Sequence, residues 1–207
     1  MAAMQDALIG LLRRRLTPPA MDWLEKQAEA PSAAAFAAAR RKVGFARFDL
    51  TPAERLELGV DLVGWGVDDG ARAVLLRAAD PAWALATWRR AELRERRAIL
   101  RALPLLRPAA AYLELALEGC RSSIVPVFEA IACDNCYPAM HFSDRAFAQL
   151  ALKAAVYGLD LGRVVGLEQR GGQDLRRLAA AAAQERRAAG RTVPLELAAL
   201  AGEEAAP

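Results

Sequence analysis

The chain is poor in what a sheet requires. β-Branched and aromatic residues are sparse, aromatics making up only 6%, and they never alternate for long, which excludes a strand-built fold. No apolar run approaches the roughly 20 residues that span a bilayer. The apolar stretch at the N-terminus precedes Arg13, Arg14 and Arg15 rather than following them, the reverse of a secretory leader. Histidine occurs once and cysteine three times, too few for a disulfide framework. Thiols without an export signal point to a reducing, cytoplasmic setting. Lysine is nearly missing: only Lys26, Lys42 and Lys153 stand among the 28 basic residues. Nucleophile elbow, phosphate-binding glycine loop, dinucleotide fingerprint and zinc-protease helix motif are all absent, so no familiar catalytic class is written in the chain.

What is abundant is alanine, the best helix former, within a composition that is 55% hydrophobic. Helix starts are marked by Thr17-Pro18, Thr51-Pro52 and Asp80-Pro81, each a capping oxygen ahead of a proline at the first helical position. Thr51 with Glu54 forms a capping box, Ser143 opens a further helix, and Gly158 and Gly190 close two. These marks predict helices near 4–16, 18–30, 33–46, 52–63, 67–78, 81–90, 91–103, 108–120, 124–133, 144–157, 173–189 and 194–201. The expected fold is all-α: an irregular multi-helix bundle or a HEAT-like stack of antiparallel helical hairpins. It is expected to form one domain over 1–201, followed by a frayed tail at 202–207. The helix at 144–157 carries apolar residues around most of its circumference, so it should be buried on several sides.

The chemistry-bearing residues crowd into 118–142, which holds every cysteine and the only histidine. Charges on apolar elements must pair, and Arg121 with Glu129 is the natural pair. Arg121, Glu129, Asp134, Asn135, Tyr137, His141 and Lys153 are the candidate ligand-binding residues. Cys120, Cys133, Cys136 and His141 offer four soft ligands of the number tetrahedral zinc takes. A lone C-x-x-C outside a βαβ pattern is a weak signal, however, and buried core thiols are the preferred reading. No metal or other cofactor is expected. Lys153 should snorkel its ammonium to water. The arginine-rich stretch at 88–101 is interleaved with Glu92 and Glu95 and has no aromatic after Trp88 to stack bases. It reads as a solvated helix face, without nucleic-acid binding.

Within this segment Glu118-Gly119-x-Arg121, Phe128-Glu129-Ala130-Ile131-Ala132, Asp134-Asn135-x-Tyr137-Pro138-Ala139 and His141-Phe142 resemble the EboA family, as does Leu152-Lys153-Ala154. The chain departs from the family pattern at Cys133, where the family carries other residues, and at Cys136, Met140 and Phe147-Ala148, where proline, glutamate and Trp-Asn are usual. The cysteines are therefore no part of the resemblance. What the resemblance implies is a setting: an accessory protein of an ebo-type natural-product pathway, linked to moving metabolite precursors to the periplasm. Its implied partners are a small metabolite or the products of neighbouring genes. Two readings compete. One is a helical binding or scaffold protein; the other is a small enzyme with a pocket around Arg121, Glu129, Asp134, Tyr137 and His141.

Overall fold

Alanine and the capping pairs translate into helix along most of the chain. The computed structural model describes residues 2–203, and among these there are fourteen α-helices and no strand, only an isolated bridge between Arg47 and Gly66. The all-α expectation holds. In order the helices are α1 (Ala2–Arg15), α2 (Pro18–Glu29), α3 (Ala33–Val43), α4 (Pro52–Leu58), α5 (Val67–Ala78), α6 (Pro81–Arg90) and α7 (Leu93–Ala102). There follow α8 (Leu113–Arg121), α9 (Val125–Ala132), α10 (Tyr137–His141), α11 (Asp144–Val156), α12 (Leu167–Arg170), α13 (Gln173–Ala188) and α14 (Leu195–Ala201).

Side-chain caps set several helix starts, although Thr17, expected to cap α2, makes no side-chain cap hydrogen bond. Thr51 Oγ1 accepts the Glu54 amide at 3.3 Å while Glu54 accepts the Thr51 amide at 3.0 Å. Asp80 accepts from the Trp83 amide at 2.7 Å and Ser143 from that of Ala146 at 3.3 Å. Each such cap is worth about 1 kcal/mol. Helix α4 stops earlier than expected because Gly59 turns left-handed, with φ +65°. The two short helices α10 and α12 were not anticipated, since one turn carries too few residues to show a period. Of the tail expected at 202–207, Gly202 closes α14 with φ +80° and Glu203 pairs with Arg187; residues 204–207 lie outside the described residues.

The chain divides into two units, Met1–Ala116 and Leu117–Pro207. In the first, α5 is buried along residues 67–76 and is packed by α1, α2, α3 and α7. In the second, α11 holds the same position among α9, α12, α13 and α14, with Phe147, Leu150, Ala151, Ala154 and Ala155 buried. Alanine serves here as a spacer: Ala155, Ala179 and Ala183 meet Leu197 in a fully buried layer that lets α11, α13 and α14 approach closely. One helix wrapped by its neighbours in each unit makes each an irregular bundle.

Candidate functional site

The segment singled out from sequence is folded around the end of α9. Asp134 takes up φ +53°, an uncommon left-handed conformation that aspartate tolerates. Asn135 then organises the turn. Its Nδ2 donates to the Ala130 carbonyl at 3.0 Å and its Oδ1 accepts the Tyr137 amide at 3.0 Å, which launches α10. The Tyr137 ring is fully buried, with its centroid 4.6 Å from that of His141 and 6.4 Å from that of Phe142.

Three cations tie this turn to the rest of its unit. Arg163, from a single 3₁₀ turn (Leu161–Arg163), donates Nη1 to Glu129 at 2.7 Å. Its Nε and Nη2 donate to Asp134 at 3.0 and 2.6 Å, and its carbonyl accepts the Asp134 amide at 2.7 Å. The Asp134 carboxylate, seconded by Glu129, holds this guanidinium above its usual range. Arg170 closes the C-terminal end of α10, donating to the carbonyls of Pro138, Ala139 and Phe142 at 3.1, 3.0 and 2.8 Å and to Asp144 at 2.7 Å. Lys153 donates to the Cys120 and Ser122 carbonyls at 2.6 and 2.8 Å and lies over the rings of Phe128 and Tyr157. Burial pulls its pKa below the usual lysine range, while two carbonyl acceptors and two ring faces favour the cation. The result is a clasp in which each cation is engaged.

A family model described as metabolite traffic protein EboA matches residues 4–202. The chain belongs to the EboA family. No curated protein and no solved structure matches it.

The positions that carry the EboA resemblance largely build this clasp. Glu129 and Asp134 are brought together on one guanidinium, and Asn135, Tyr137 and His141 follow within the next two turns of chain. Arg121 is not brought in. It is exposed at the end of α8, and the expected Arg121–Glu129 pair gives way to Arg163–Glu129, because the 158–171 loop returns across α9. The lysine expectation is also corrected: the ammonium of Lys153 is satisfied by carbonyls within the fold instead of reaching out to water. Burial pushes the Cys120 thiol up to about 12 and that of Cys133 to about 11, so both are protonated at neutral pH and poor as nucleophiles. Among the described residues no three His, Cys, Asp or Glu side chains are grouped to hold a metal ion. Surface cavities of about 380 and 610 Å³ lie along residues 161–169 and 144–178 of this unit, and none of the seven candidates lines them.

Sequence reasoning missed Arg163 and Arg170. Their signal was faint: isolated arginines in a glycine-punctuated loop, within a chain where arginine is the default cation. Gly166 was the better clue. It sits at φ +82° against Ala139, where an added Cβ would come within 2.7 Å of the alanine Cβ, so the loop can lie on α10 only with glycine there. The arginine-rich stretch also differs from a plain solvated face. Arg96 stacks on Trp88, and Arg94, Arg97 and Arg101 turn toward a cleft shared with Asp68 and Asp69.

Proposed function

We propose that this EboA protein is a non-catalytic helical binding or scaffold protein that serves metabolite traffic in an ebo-type natural-product pathway. It would hold a small metabolite or the product of a neighbouring gene. Arg121, Glu129, Asp134, Asn135, Tyr137, His141 and Lys153 then belong to the frame and rim of a binding surface, not to acid–base machinery. One observation carries this reading: the two candidate carboxylates, Glu129 and Asp134, are held by a single guanidinium, Arg163. A general base must reach the proton it abstracts, and these two carboxylates are instead occupied by hydrogen bonds to Arg163.

The test is co-expression with the products of neighbouring ebo-type genes, followed by light scattering and native mass spectrometry. Retention of a partner chain or of a small-molecule mass is expected. A bare monomer that keeps neither would sink the proposal. The enzymic alternative has the Tyr137–His141 ring contact in its favour. It requires a conversion that is lost in H141Q while the unfolding midpoint stays unchanged.

A further inference from the structure

The Met1–Ala116 unit carries a second charged cluster of different character. On α7, Arg94, Arg97 and Arg101 fall on one face, while Ala98, Ile99, Leu100 and Ala102 are buried. Arg40 comes from α3 with its guanidinium 4.3 Å from the centroid of the Phe45 ring. Arg47 stands on the extended segment after α3, which is pinned by the Phe48 amide to the Trp65 carbonyl at 3.0 Å and the Val67 amide to the Ala46 carbonyl at 2.8 Å. Together with Gly64, Gly66, Asp68 and Asp69 they line a cleft of about 250 Å³. Gly66 is required in its wall, because a Cβ there would stand 2.5 Å from Asp68 Oδ1.

The floor is already neutralised. Asp68 is buried and takes Arg72 at 2.9 Å from behind, with Arg40 at 3.7 Å. Asp69 takes Arg101 at 2.7 Å and the Gly66 amide at 3.0 Å. Five arginines therefore line the cleft with two aspartates, and a sixth, Arg72, holds Asp68 from behind. Arg47 and Arg94 make no side-chain hydrogen bond or ion pair with a described residue. A solvated arginine face would splay its charges apart. Here three segments turn them into one concavity, where their mutual repulsion is relieved by an anion. Guanidinium forks match phosphate and carboxylate geometry.

We infer that this cleft binds the oxyanion head, phosphate or carboxylate, of a small metabolite. Arg47 and Arg94 contribute the free forks, and Asp68 and Asp69 hold Arg40 and Arg101 in position. A cleft of this volume has room for one such head. This inference does not rest on the binding-protein reading, since an enzyme could use the same site.

Calorimetric titration of the full chain at low ionic strength, with inorganic phosphate and separately with citrate, tests it. Saturable binding of at least one probe is expected, and the stronger probe identifies the head group. R47Q/R94Q, which changes two exposed residues and leaves the aspartate pairs intact, should weaken binding about tenfold or more. R89Q/R90Q removes the same charge from exposed positions outside the cleft and should stay within about twofold. Two results overturn the assignment: no saturable binding of either anion, or an equal loss in both double variants, which would mark a diffuse surface effect.

Discussion

In the Leu117–Pro207 unit one guanidinium, that of Arg163, answers two carboxylates; in the Met1–Ala116 unit two carboxylates sit among six guanidiniums. The first cluster closes on itself, and its neighbours Arg170 and Lys153 are likewise engaged by carbonyls. The second has its aspartates matched from behind and beside, and is left with cations facing a concavity. The residue types are the same. What separates a structural clasp from a ligand-ready cleft is the ratio of opposite charges and whether the excess faces a space.

The largest expected effect breaks the floor of the cleft. R72A would leave Asp68 buried with only the distant Arg40, and should cost about 3–5 kcal/mol in urea unfolding. A loss under about 1 kcal/mol would mean that Arg40 alone neutralises Asp68, which leaves the cleft a smaller surplus of positive charge. R163A comes next. Its cluster is partly exposed, so the expected loss is about 2 kcal/mol, and adding E129Q and D134N should recover part of it by removing the orphaned charges. An unchanged midpoint would show that the clasp does not hold the unit together.

The pH dependence sharpens the contrast among carboxylates. The Arg15 hydrogen bond, with the Thr51 amide, holds Glu54 down to about 2 from a usual 4.5. Its contribution to stability is therefore present above pH 4.5 and lost as pH falls through about 2. Asp69 has the opposite sign. Burial raises its pKa above the usual 3.8 despite Arg101, so the native state holds the proton longer and this group subtracts from stability as pH rises through that range. Unfolding midpoints against pH should flatten on the acid side in E54Q. In D69N they should lose a downward component with rising pH; parallel curves would contradict both. The smallest effect is that of R121A. An exposed arginine outside the clasp should change stability by less than about 0.5 kcal/mol, and a larger loss would place it back beside Glu129.

Much of the architecture was legible from local rules. Twelve expected helices are present because capping oxygens, prolines at first positions and alanine content act over a few residues. The burial of α11 was legible from its apolar circumference. The 118–142 segment was legible as a crowd of polar groups on apolar elements, but which groups pair there was not, and neither was the cleft. Arg121 lies closer to Glu129 in sequence than Arg163 does, and sequence proximity favoured the wrong partner.

Sequence alone therefore determined the helical class, most helix starts and membership in the EboA family. Only tertiary structure decided which charged groups become partners. Arg163 reaches Glu129 across 34 residues and Arg101 reaches Asp69 across 32. The physical reason is that capping and helix propensity are satisfied within one turn of chain. A charge is satisfied by whichever opposite group the packing of distant helices delivers, and arginines that look alike in sequence differ only in where the fold carries them.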